Sequence, residues 1–167
     1  MPGYKGHIAG GAVLNVGYIA ALTTVPLAAF TPYVGVTGDA TLLVGLFVCA
    51  MLFALFPDVD TNSKGQDIFI GLALIVDVLL ILNGFYVLAA YLGLLAMTPV
   101  IGKHRGWTHS KPAMLLVPLP IVLIPYLFNQ SVTATMWLFY GAAVTGYFSH
   151  LLLDGCITKY IHVKGGR

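Results

Sequence analysis

Six apolar segments account for most of this 167-residue chain, and the charged residues fall almost entirely between them. The segments are residues 8–30, 41–56, 68–82, 85–101, 113–128 and 133–156. A transmembrane helix needs roughly 20 residues, with a range of about 17–25, and a slightly shorter segment can be accommodated by local thinning of the bilayer. We therefore predict an all-α, polytopic membrane protein, in which residues 1–167 form one domain, a bundle of about six transmembrane helices.

The composition excludes a soluble globular domain. Hydrophobic residues make up 59% of the chain and charged residues 8%, with eight Lys or Arg and six acidic residues, all of them Asp. So few charges cannot supply the polar surface that a soluble domain of this size needs. The chain is therefore expected to lie in a membrane.

Three local features refine this picture. Segment 8–30 is longer than the apolar core of a signal peptide, about 7–15 residues, so we expect it to remain as the first helix. The dipeptide Asn83-Gly84 predicts a tight turn between the third and fourth helices. Cys49 and Cys156 form neither a CxxC motif nor a disulfide framework, and Cys49 is predicted to be a packing residue.

The distribution of cations predicts the orientation. With six crossings, every Lys and Arg lies on the side of the N-terminus: Lys5, Lys64, Lys103, Arg105, Lys111, Lys159, Lys164 and Arg167. The loops on the opposite side contain none. Because cationic loops remain in the cytoplasm, we predict a multi-pass inner (cytoplasmic) membrane protein with both termini cytoplasmic.

Several side chains that can bind a metal are predicted to lie on this same side, although they come from four separate parts of the sequence. They are His7, Asp58, Asp60, His104, His109, His150 and Asp154. His150 and Asp154 are four residues apart, so they share one face of a helix. Burying the Asp154 carboxylate there without a partner would be costly.

This set of ligands predicts a divalent-metal site. Imidazole and carboxylate together favour Zn²⁺ or another first-row ion, whereas carboxylate-rich sites suit Mn²⁺ or Mg²⁺. Seven candidates are too many for one tetrahedral ion, so we expect more than one ion, with one or two residues acting as a base or as outer partners.

Each candidate also has a purely structural interpretation. Asp58 or Asp60 could cap a turn or the following helix, and Thr108 or Ser110 is expected to cap the fifth helix. His104 and His109 could be ordinary interfacial histidines. His150 and Asp154 could satisfy each other by a hydrogen bond. All of these interpretations would have to hold together, on one side of a chain poor in polar residues.

The stretch "KHRGWTHSKP" (103–112) adds cations to these candidates. Arg105 lies between two predicted ligands, where a guanidinium can bind a phosphate with two parallel hydrogen bonds. Lys103 and Lys111 could do the same, but we prefer the interpretation that they anchor the protein to anionic lipid headgroups.

A histidine near the start, "PDVD", "HRGWTHS" and "GYFSHLLLD" together resemble the YdjM family of small bacterial and archaeal inner-membrane proteins. That family is described as membrane-bound metal-dependent hydrolases, by distant similarity to zinc-dependent phospholipase C, and some members are controlled by LexA in the SOS response. The resemblance extends from His7 to Asp154 and implies that the seven candidate ligands form the site. The basic tail "GCITKYIHVKGGR" departs from the family pattern.

These observations lead to one predicted function and two alternatives. We expect a metal-dependent hydrolase at the cytoplasmic face, acting on a phosphate ester such as a phospholipid or lipid phosphate, with membrane lipids and no nucleic acid as partners. Asp60 or Asp154 would accept the proton of the attacking water, and Arg105 would stabilise the phosphoryl charge. The alternatives are a divalent-metal transporter or sensor, for which Asp77 and Asn15 are the only mid-membrane candidates, and a structural protein stabilised by its metal. The sequence leaves the oligomeric state open.

Overall fold

The structure, a computed structural model, describes residues 4–24, 39–60, 64–101, 107–129 and 133–155, all of which are helical or form turns between helices. The elements are α1 (Tyr4–Thr24), α2 (Ala40–Leu55), a 3-10 helix (Phe56–Asp60), α3 (Lys64–Leu82), α4 (Tyr86–Ile101), α5 (Lys111–Leu116), α6 (Pro120–Asn129) and α7 (Ala134–Leu153). The all-α prediction is confirmed for this part of the chain.

The second apolar segment ends in the 3-10 helix because of Pro57. Proline has no N–H with which to continue the α-helical hydrogen bonds, and a tighter 3-10 turn commonly takes over at a helix end. The resulting turn, Phe56–Asp60, has the sequence FPDVD. It brings Asp58 to the end of α2.

The turn predicted at Asn83-Gly84 is present and closes a helical hairpin of α3 and α4. Gly84 has a φ of 80°, a left-handed conformation that glycine adopts without a Cβ penalty. The amide of Phe85 donates to the carbonyl of Leu80 (2.8 Å) and that of Gly84 to Ile81 (3.0 Å). These two bonds form a Schellman motif, which ends α3 at the predicted place.

The fifth predicted helix, residues 113–128, is instead two helices, α5 and α6, separated by a turn at 117–119. Pro118 and Pro120 lack the N–H groups that a continuous helix would require. The turn uses i to i+3 bonds instead, from the amide of Leu119 to Leu116 (3.2 Å) and from that of Ile121 to Pro118 (3.0 Å). Ser110 caps α5, since its side chain accepts from the amide of Ala113 (3.2 Å).

Helices α1, α2 and α7 pack against one another and form the centre of the bundle. The closest approach lies between α2 and α7, where a Cβ added to Gly146 would come within 2.0 Å of the carbonyl oxygen of Ala50. Small residues allow such close backbone contact between helices in lipid. The α3–α4 hairpin packs beside this centre and against the 3-10 helix.

Three segments among the described residues are long and apolar enough to cross a membrane: Ala40–Val59, Lys64–Leu82 and Lys111–Phe128. Tyr86–Met97 is a shorter apolar helix. Large apolar side chains point outward from α3 and α4, among them Leu74, Leu82 and Leu94, each more than 60% exposed. Lipid would cover these side chains. The number of crossings stays a prediction, as does the division of the chain into one domain.

Gly146→Ala should destabilise the protein by about 1–3 kcal/mol, the usual cost of overpacking a well-packed core. Gly71→Ala is the matched control, because nothing lies within 4 Å of a Cβ at that position of α3. Alanine there should be neutral or stabilising by up to about 1 kcal/mol. Unfolding of both variants in detergent, followed by circular dichroism, measures the difference. Equal stability of the two variants would contradict the close approach of α2 and α7.

Candidate metal centre

Four elements meet at one end of the bundle and place five of the predicted ligands together. His7 lies in the second turn of α1, Asp58 in the 3-10 helix after α2, and His109 just before α5. His150 occupies the last turn of α7, and Asp154 caps the C-terminus of that helix. Gly155 follows with a φ of 68° and ends α7 at this point.

The Nε2 atoms of His109 and His150 face the same two carboxylate oxygens. His109 Nε2 lies 3.7 Å from Asp58 Oδ1 and 3.5 Å from Asp154 Oδ2, and the corresponding distances from His150 Nε2 are 3.5 and 3.2 Å. All four atoms lie within 4.8 Å of one another, and the group could hold a metal ion. Two ligand atoms of a tetrahedral zinc ion, each about 2.0–2.1 Å from it, are roughly 3.3 Å apart. The observed separations are close to that value.

His150 is fixed in the tautomer that a metal ligand requires. Its Nδ1 lies 2.7 Å from the carbonyl oxygen of Ala54, which can only accept, so Nδ1 carries a proton and the neutral ring has its lone pair on Nε2. Nε2 is buried and makes no hydrogen bond, although carboxylate oxygens lie nearby. A backbone carbonyl on the far nitrogen is the usual outer partner of a metal-bound histidine.

The same geometry disfavours the interpretation that His150 and Asp154 merely satisfy each other. A neutral Nε2 lone pair and a carboxylate oxygen 3.2 Å apart repel unless a cation lies between them. Only protonation of His150 or a bound metal provides that positive charge. A bound metal, unlike a proton on one imidazole, would at the same time compensate Asp58, whose Oδ1 lies 3.5 Å from His150 Nε2.

His109 is held in place through the backbone of its neighbour. The Tyr147 hydroxyl on α7, fully buried, donates to the carbonyl of Thr108. The Thr108 hydroxyl lies 3.2 Å from His109 Nδ1, and His109 Nε2 faces the carboxylates. The residue types and their spacing did not indicate Tyr147 or the Ala54 carbonyl, because each of the two contacts involves a backbone carbonyl group.

The ligand side chains differ in their exposure to solvent. The side chains of His109 and Asp58 are 26% and 24% exposed, whereas those of His7, His150 and Asp154 are 2%, 0% and 5% exposed. A solute can therefore reach the centre past His109 and Asp58. Trp107, two residues before His109, is 45% exposed beside this opening.

The remaining predicted site residues are only partly described. His104 and Arg105 lie outside the described residues, as do Lys103, Cys156 and His162. Asp60 ends the 3-10 helix, but its side chain is not among those described. Their assignment to the site stays a prediction. Asp39, at the other end of the bundle, caps α2 by accepting from the amide of Leu42 (3.0 Å).

The two mid-membrane candidates do not form a pair. Both side-chain atoms of Asn15 and the Oδ1 of Asp77 are buried without a hydrogen bond. The hydrogen-bonded Asn15–Asp77 contact that would explain them structurally is therefore absent, and they stand apart from the metal-binding group.

Comparison with known proteins gives one match. The family model described as YdjM inner membrane protein matches residues 1–162, nearly the whole chain. Neither a curated protein nor a solved structure matches the chain.

Replacing any one of Asp58, His109, His150 and Asp154 with Ala should weaken Zn²⁺ binding by more than the roughly 10–100-fold that loss of an outer partner costs. Asp39→Asn is the matched control, because Asn also caps a helix well and position 39 is remote from the group. Competition with a fluorescent chelator measures the affinity. Unchanged affinity in three of the four variants would rule out this ligand set.

Tyr147→Phe should weaken Zn²⁺ binding by about 10–100-fold, since it frees the backbone that positions His109. Tyr140→Phe is its control: that hydroxyl also donates to a backbone carbonyl, of Leu115 (3.2 Å), but away from the centre. The two affinities are compared by the same titration. A loss that is equal in both variants would point to general destabilisation rather than to positioning of His109.

Proposed function

We propose that this chain, which belongs to the YdjM inner membrane protein family, is a metal-dependent hydrolase that cleaves phosphate esters at the cytoplasmic face of the membrane. The observation that carries the proposal is the group of four ligand atoms, in which the buried His150 donates from Nδ1 to the Ala54 carbonyl and directs Nε2 to both carboxylates. The substrate class is a phospholipid or a lipid phosphate.

Asp58, His109, His150 and Asp154 would hold the ion. A divalent ion in such a site polarises a phosphoryl oxygen and lowers the pKa of a bound water, which supplies a nucleophile at neutral pH. Imidazole and carboxylate in equal number suit Zn²⁺, and Mn²⁺ is the next choice. Since Asp154 is one of the four ligands, Asp60 is the better candidate for the base that accepts the proton of the water.

The surroundings of the opening favour an anionic, membrane-borne substrate. Lys5, Lys64 and Lys111 are exposed in the first turns of α1, α3 and α5, the helix ends nearest to the centre. Arg105 belongs to the segment that leads into His109, and we assign to it the binding of the phosphoryl group. The exposed Trp107 is of the type that anchors a protein at the headgroup level. A lipid could thus present its phosphate while its chains stay in the bilayer.

Metal-loaded protein in detergent should hydrolyse a phosphate monoester or diester, tested with a panel that includes phospholipids in mixed micelles. His150→Ala should lose turnover, because the ion loses a ligand, whereas Asp39→Asn should keep it. Release of phosphate or of the esterified alcohol is measured with and without a chelator. A metal-loaded sample that hydrolyses no phosphate ester would contradict the enzymatic function and favour transport or a structural metal.

The proposed topology has its own test. In a Cys49→Ser, Cys156→Ser background, Lys64→Cys should resist a membrane-impermeant maleimide in intact cells, because position 64 lies at the end of the bundle that carries the centre. Asp39→Cys, at the opposite end, should label readily. Quantitative labelling at position 64 with protection at position 39 would put the centre on the outer face.

A further inference from the structure

We propose that the centre holds two divalent ions, with Asp58 and Asp154 bridging them and His7 binding the second. This inference rests on the metal-binding part of the proposed function and deepens it. His7 is not among the four residues whose ligand atoms gather around one point, yet it lies in direct reach of both aspartates.

Each of the two carboxylates has one oxygen near His109 and His150 and the other oxygen near His7. Asp58 Oδ1 and Asp154 Oδ2 face His109 and His150. The other oxygens, Asp58 Oδ2 and Asp154 Oδ1, lie 4.0 and 3.4 Å from His7 Nε2. A carboxylate with one oxygen directed to each of two ligand groups is arranged to bridge two ions, as in the two-metal sites of phosphatases and nucleases.

The orientation of His7 argues against a single shared ion. Its ring stacks on that of His150, with centroids 3.8 Å apart and an interplanar angle of 14°. The lone pair of an imidazole nitrogen lies in the plane of the ring, so two nearly parallel rings direct their lone pairs side by side and not to one point. Two ions of a binuclear site are typically about 3.5–4 Å apart, which is the spacing of the stacked rings.

The charges are consistent with a second ion and with the proposed substrate. One divalent ion neutralises the two aspartates, and a second leaves an excess of two positive charges among the described ligands. An anionic phosphate ester would offset that excess. His7 with the two outer oxygens provides three donors, which leaves room for a further ligand, as catalytic zinc sites do.

The competing explanation is that His7 only donates a hydrogen bond from Nε2 to Asp154. His7→Asn separates the two roles, because the amide can still donate to the carboxylate, whereas it is a poor replacement for an imidazole as a zinc ligand. The full-length wild-type protein, saturated with Zn²⁺ in detergent and desalted, should retain two ions per chain by elemental analysis. His7→Asn should retain one, and Asp39→Asn should retain two.

A second measurement does not depend on counting the retained ions. Wild-type protein loaded with Mn²⁺ should give the electron paramagnetic resonance signal of a spin-coupled pair, and His7→Asn that of an isolated ion. One zinc per wild-type chain, or two ions in His7→Asn, would overturn the binuclear site. No bound ion in the wild type would overturn the metal centre altogether. Two ions without hydrolysis of any phosphate ester would leave this inference standing and refute the proposed function.

Discussion

The hydrogen bond from His150 Nδ1 to the Ala54 carbonyl is the contact on which the metal centre depends. It exists because α2 and α7 cross closely one turn earlier, where Gly146 lies against the backbone of Ala50. A side chain at position 146 would hold the helices apart and move His150 away from its acceptor. The packing of two apolar helices thus decides which nitrogen of a buried histidine carries the proton, and with it whether Nε2 can bind a metal.

Charge imposes the second constraint. Two aspartates and three histidines, all partly or fully buried, cannot remain together as carboxylates and neutral imidazoles without a compensating cation, because each buried carboxylate costs several kcal/mol when it is left uncompensated. One divalent ion would compensate both aspartates and would give the Nε2 atoms of His109 and His150 a partner. The group of Asp58, His109, His150 and Asp154 could therefore hold a metal ion.

Part of the fold and of the candidate site could be predicted from the sequence, because it depends on the spacing of residues alone. The four-residue separation of His150 and Asp154 and the Asn83-Gly84 turn are local, and the topology of apolar segments brings His7, Asp58 and His109 to the same end. Other features of the site depend on contacts with backbone groups that are far away in the sequence. The Tyr147 hydroxyl donates to the backbone carbonyl of Thr108, and Ala54 accepts through its own carbonyl, so in both contacts one partner is a group that every residue type has and no pattern of side chains indicates it. The division of the fifth segment was missed because its apolar composition is that of a continuous helix, whereas Pro118 and Pro120 interrupt the hydrogen bonding.

The position of the centre also bears on the choice between catalysis and transport. A transport path needs ionisable or coordinating groups distributed through the depth of the membrane. Here the described ligands form one group at the end of the bundle, and neither the side-chain amide of the buried Asn15 nor the Oδ1 of Asp77 makes a hydrogen bond that would link them into a chain. A hydrolase needs only one such group, within reach of water. The partly exposed Asp58 and His109 lie at the helix ends that carry Lys5, Lys64 and Lys111, where the proposed lipid phosphate would meet the group at the bilayer surface.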